Sequence, residues 1–104
     1  MKKQKMTDQQ RAVVAALLGV SNAGQDMLFR GRHPSFTPEK IKKMLGASVD
    51  SVTYNFVSGL CEDEAMLDMF VSEAKSWYKN LRNHSLADLK RVHKDYVPFF
   101  EALE

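Results

Sequence analysis

Residues 41–57 read Ile41-Lys42-Lys43-Met44-Leu45-Gly46-Ala47-Ser48-Val49-Asp50-Ser51-Val52-Thr53-Tyr54-Asn55-Phe56-Val57, and this stretch decides the fold. Apolar residues recur at helical spacing on both sides of Gly46, and no segment of the chain alternates as a half-buried strand does. The spacing predicts one helix ending near Gly46 and a second beginning at Val49. Gly46 offers the left-handed conformation that closes a helix and turns the chain. Ser48 is placed to cap the second helix by accepting a hydrogen bond from a free backbone amide. Ile41, Leu45, Val52 and Phe56 form the inward set, and Asp50, Ser51, Thr53, Tyr54 and Asn55 the outward one.

The order Leu45, Gly46, Ala47, Ser48 and Val52 resembles the core of the helix-turn-helix DNA-binding motif. That motif has an apolar helix end, Gly at the turn, a small residue, Ser or Thr, and an apolar anchor six residues after the Gly. The resemblance spans residues 38–58, about 20 residues in all. It implies double-stranded DNA as partner, with the second helix in the major groove and a role in transcription regulation. Ser51, Thr53, Tyr54 and Asn55 then face the bases, Asn55 pairing with adenine and Thr53 touching a thymine methyl. The second helix has no Lys or Arg and carries Asp50, so phosphate contacts are expected from Arg30, Arg32, Lys40 and Lys43 instead. Lys2, Lys3 and Lys5 are read as a flexible arm. Lys42 stands where the motif usually has a small residue, and Asn55 where it often has an apolar one. The same Gly stop and Ser cap also make a plain corner between two bundle helices.

Outward from this unit, Thr37 is a helix cap with Pro38 at the first helical position, where its missing amide costs nothing. A first helix is expected over residues 8–18, with Thr7 and Gln10 at capping-box spacing and Val13, Val14, Leu17 and Leu18 as its apolar side. Gly19 is expected to stop it. Leu18-Gly19-Val20-Ser21 echoes Leu45-Gly46-Ala47-Ser48, but Gln25 fills the slot of Val52, so the echo is read as a helix stop alone. A short helix over residues 21–29 and a basic loop from Arg30 to Ser35 follow.

The helix after the turn is expected over residues 49–60 and the longest over 62–82, with Met66, Phe70, Ala74, Trp77 and Leu81 on one face. Its acidic start (Glu62, Asp63, Glu64) and basic end (Lys75, Lys79, Arg82) suit the helix dipole. Ser85 caps a last helix with Leu86, Leu89, Tyr96, Phe100 and Leu103 inward, kinked or ended before Phe99 by Pro98.

The 104 residues suit one all-α domain of five or six helices. Charge is uneven: residues 1–43 hold nine Lys or Arg and three acids, while residues 44–104 hold six and ten. Residues 1–60 thus form a basic half, and residues 61–104 are expected to supply two C-terminal helices. The single cysteine, Cys61, excludes an intrachain disulfide, favours a cytoplasmic setting and has acidic neighbours that disfavour a reactive thiolate. No run of about 20 apolar residues suggests a membrane span, and five polar residues after Lys5 argue against a secretory signal. His33, His84 and His93 lack metal-ligand spacing, no Gly-rich phosphate loop occurs, and neither an enzyme, a cofactor nor a metal is expected.

A second function class stands beside DNA binding: a helical interaction module such as an adaptor, inhibitor or immunity-type protein without nucleic-acid binding. Trp77, Tyr78, Tyr96, Phe99 and Phe100 crowd the last third of the chain. The last helix is apolar on two adjacent tracks, and Trp77, Tyr96, Phe99 and Phe100 are the expected surface for a homodimer or protein partner.

Overall fold

The computed structural model describes residues 5–22, 37–58 and 63–104. Within them the chain forms α1 (Asp8–Asn22), α2 (Pro38–Met44), α3 (Val49–Ser58), α4 (Glu64–Asn80), α5 (Leu86–Val92), a 3₁₀ turn (Lys94–Tyr96) and α6 (Val97–Ala102). No strand occurs among the described residues, and the protein is a small all-α bundle, as its periodicity predicts. Most of the expected 21–29 helix and the whole 30–35 loop lie outside the described residues.

The helix α1 begins where the sequence places it. The Thr7 amide donates to Gln10 Oε1 at 2.9 Å and the Gln10 amide to Thr7 Oγ1 at 3.1 Å, both halves of a capping box. Its end does not fall where expected, because α1 continues through Gly19 to Asn22. Nor does it show a single apolar side: every residue from Ala12 to Gly19 is buried. A helix covered on all faces is an interior helix. Burying one Val or Leu is worth about 1.5–3 kcal/mol, so Val13, Val14, Leu17 and Leu18 make α1 a main source of stability.

Helices α3 and α4 pack on α1 and on each other. Gly19 is a point of close approach to α4: a Cβ there would stand 2.7 Å from the Ala74 amide nitrogen and 2.8 Å from its Cα. On α4, Phe70 and Ala74 are buried, with Leu81 buried just beyond the helix end. Asp63 caps α4 by accepting from the Met66 amide at 2.8 Å. The remaining helices close the other side, with α2 packed on α6 and α6 on α5 and the 3₁₀ turn. Gln10 Nε2 donates to the Leu103 carbonyl at 2.8 Å, tying the start of α1 to the end of α6.

The expected last helix is broken, but not by Pro98. Ser85 and Asp88 form the predicted start as a complete capping box, yet α5 ends at Val92. His93 and the 3₁₀ turn follow, and Pro98 lies in the first turn of α6. Proline lacks the amide that would bond four residues back, so it starts a helix here and does not terminate one. Residues 61–104 therefore carry three α-helices among those described, and α1 with α4 and α2 with α6 join the basic and acidic halves in one core.

Candidate nucleic-acid interface

The helix pair over residues 38–58 is present, and its turn is built differently from the expectation. Thr37 caps α2, accepting from the Lys40 amide at 3.2 Å. At the other end the Leu45, Gly46 and Ala47 amides donate to the Lys42, Lys43 and Met44 carbonyls at 3.1, 3.2 and 3.1 Å. These are successive i to i+3 bonds, so the helix tightens into its turn and satisfies its last carbonyls in that way. Gly46 is not left-handed, and a Cβ on it would meet nothing nearer than the Lys43 carbonyl oxygen at 3.6 Å, an ordinary contact. The left-handed role assigned to Gly46 is therefore corrected. The Ser48 carbonyl accepts from the Ser51 and Val52 amides, starting α3, while the Ser48 and Ser51 hydroxyls meet at 2.9 Å.

The inward set falls largely as expected. Ile41 and Val52 are fully buried, and Leu45 and Phe56 are half-buried against the core. The two helices nevertheless turn to different neighbours, α2 to α6 and α3 to α1 and α4. Lys42 is exposed, which fits a pair that does not close tightly at that position.

Of the residues expected to face bases, Tyr54 is 57% exposed and Asn55 is exposed beside it. Asp50 and Ser58 are exposed one turn before and after Tyr54, on the same side. Ser51 is half-buried, and its hydroxyl is held by the Ser48 carbonyl and hydroxyl in the turn. Thr53 belongs to α3, but its side chain lies outside the described part of the structure. Of the residues expected to hold phosphate, Lys40 and Lys43 are exposed, whereas Arg30 and Arg32 lie outside the described residues, as does Cys61.

A neighbour that sequence reasoning did not assign to this site adjoins α3. A shallow cavity of about 200 Å³ is lined by Val49 and Asp50 of α3, Ala12 of α1, and Lys75 and Tyr78 of α4. Arg11 stacks its guanidinium over the Tyr78 ring at 3.9 Å, with Asp8 3.7 Å away. Its side chain is only 17% exposed, so Arg11 braces α1 against α4 and offers little charge to a partner. Lys75 is exposed and, among the described residues, enters no ion pair. The signal for it was the spacing Lys75, Lys79, Arg82, one face of a helix at intervals of four and three.

The aromatic C-terminal surface expected for a partner is largely internal. Phe100 is fully buried, Phe99 is 4% exposed, and Trp77 and Tyr96 are half-buried. The His93 ring lies between Tyr96, stacked at 5.9 Å, and Trp77, edge-on at 6.2 Å. Burial there lowers the His93 pKa below its usual value. Exposed apolar bulk is found elsewhere, at Tyr54, Met69 and Val92. A larger hollow of about 390 Å³ lies where the start of α1 meets the start of α5. Thr7, Gln10 and Ser85 in its wall already have their hydrogen-bond partners within the chain.

Among the described residues no group of acids, histidines and cysteines is arranged to hold a metal, and no helix is long and apolar enough to cross a membrane. Comparison with known protein families, characterised proteins and solved structures found no match for this chain.

Proposed function

We propose that this protein is a small DNA-binding regulator that presents the outer face of α3 to the major groove. The observation that carries the reading is the division of α3 into two faces. Val52 and Val57 are wholly buried, while Asp50, Tyr54, Asn55 and Ser58 stand outward on a helix anchored against α1 and α4. A helix held rigidly with a polar and aromatic face free can address base edges. Lys40, Lys42 and Lys43 are exposed on the preceding helix and enter no ion pair among the described residues, leaving their charge for phosphate.

The reading is tested by titrating the protein into labelled mixed-sequence duplex DNA at several salt concentrations and following fluorescence anisotropy. Binding whose logarithm falls linearly with log salt is expected, and Lys40→Ala with Lys43→Ala should lower the slope by about 2. Tyr54→Ala and Asn55→Ala should instead change preference among sequences, each by about 1–3 kcal/mol. Absence of binding even at low salt overturns the proposal. The second reading, an interaction module, is favoured by Tyr54 and Met69, large apolar side chains exposed on the adjoining helices α3 and α4. It predicts a protein partner that Tyr54→Ala releases while no DNA binds.

A further inference from the structure

We infer that the phosphate-binding surface extends beyond the helix pair onto α4 and the turn that follows it, where Lys75, Lys79 and Arg82 supply the positive charge that α3 lacks. The inference rests on the DNA-binding reading and adds residues that the helix-turn-helix resemblance does not contain.

Three observations carry it. First, α3 has no basic residue and holds Asp50 at its start, so a phosphate approaching that end meets negative charge unless a neighbour compensates. Second, packing provides the neighbour: Lys75 lines one cavity with Val49 and Asp50, twenty-five residues away in sequence from Asp50. Third, Lys75, Lys79 and Arg82 are all exposed, and none enters an ion pair among the described residues. This contrasts with Arg91, paired to Asp88 at 2.8 Å, and Lys90, paired to Glu104. Charges already paired release few counterions on binding, whereas unpaired ones each contribute to the salt dependence.

The geometry also explains the arrangement. Because α3 and α4 both pack on α1, the start of α3 lies against the second half of α4. Lys75 and Lys79 are four apart in α4, which keeps them on one side of the helix, and Arg82 follows in the turn just after its end. The helix C-terminus favours cations as well, so the basic end of α4 has a structural use and a surface consequence together. A DNA backbone is a better fit than an acidic peptide, because regularly spaced phosphates suit a row of point charges beside a helix that displays Tyr54 and Asn55.

The test compares salt slopes for wild type, Lys75→Ala/Lys79→Ala, Lys42→Ala/Lys43→Ala and the control Lys94→Ala on the same mixed-sequence duplex. Circular dichroism melting confirms the fold of each variant, with Lys75→Gln/Lys79→Gln as the alternative should the alanine pair lose helix. The inference predicts that the α4 pair lowers the slope by about 2 and weakens binding on every sequence, while Lys94→Ala leaves both unchanged. A slope lowered by the α2 pair but not by the α4 pair would overturn the extension and leave the DNA reading standing. Absence of DNA binding in the wild type would overturn both. Binding of polyglutamate as tightly as duplex DNA would assign the basic face to an acidic protein and overturn the proposal.

Discussion

Leu18-Gly19-Val20-Ser21 and Leu45-Gly46-Ala47-Ser48 follow one local pattern and have opposite fates. The first runs on as helix with Leu18 and Gly19 buried, the second turns the chain at the surface. Neither glycine is used for a left-handed backbone. Gly19 is required because α4 passes so close that any Cβ meets the Ala74 backbone. Gly46 would meet only an ordinary contact, and the turn is made by successive i to i+3 bonds that any residue but proline can donate. The difference lies in tertiary contact: a glycine read locally as a stop becomes a contact point when its helix is buried on every face.

The sharpest way to break this comparison is Gly19→Ala. The added methyl meets backbone atoms at 2.7 and 2.8 Å, so α1 and α4 must part, at a cost of about 2–3 kcal/mol in urea unfolding. Adding Ala74→Gly should not restore stability, because the atoms encountered are the Ala74 amide nitrogen and Cα, with the methyl only third at 3.1 Å. Recovery by that second change would show the contact to be one between side chains.

Next in size is Thr7→Ala, which removes one half of the capping box at the start of α1 and should cost about 1 kcal/mol in the same assay. Gly46→Ala should then fall within about 0.5 kcal/mol of wild type, since the turn needs no positive backbone angle there. A loss as large as that of Gly19→Ala would restore the left-handed turn and contradict the comparison.

The smallest expected effect concerns the third junction, at His93. Its pKa is lowered by burial, so the unfolded chain binds the proton more readily than the folded one. The stability linked to His93 is thus present above the unfolded pKa of about 6.5 and is lost as pH falls below it, levelling off below the folded pKa. His93→Gln should flatten this part of a chemical-denaturation series between neutral and mildly acidic pH. An unchanged pH dependence would show that the Trp77–His93–Tyr96 contact does not sense protonation.

What the sequence made legible follows from how local each feature is. Caps depend on residues within one turn, and Thr7 with Gln10, Thr37 before Pro38, and Ser85 all stand where the sequence places them, with Asp88 completing the last as a capping box. The anchors Ile41 and Val52 were readable from their helical positions, and both are buried. The interior status of α1 was not readable, because Ala12, Ala15 and Ala16 are as consistent with an exposed face as with a crowded one. The same limit applies to the aromatic C-terminus. A wide apolar track suggested a surface, yet Phe99 and Phe100 are consumed by the core that α2 and α6 form together.

At the candidate site, the outward positions of Tyr54 and Asn55 were accessible to pattern reading, while the bonds that tie the half-buried Ser51 to Ser48 in the turn were not. Lys75 could not be placed near Asp50 without knowing that α3 and α4 share α1 as their support.

The central claim, that α3 and its basic surroundings meet DNA, is tested most directly by following backbone amide resonances of the labelled protein as a short duplex is added. The account predicts shifts concentrated at Asp50, Tyr54, Asn55 and Ser58, with further shifts at Lys42, Lys43, Lys75 and Lys79. Shifts confined to α5 and α6, or no shift at a duplex excess in low salt, would contradict it.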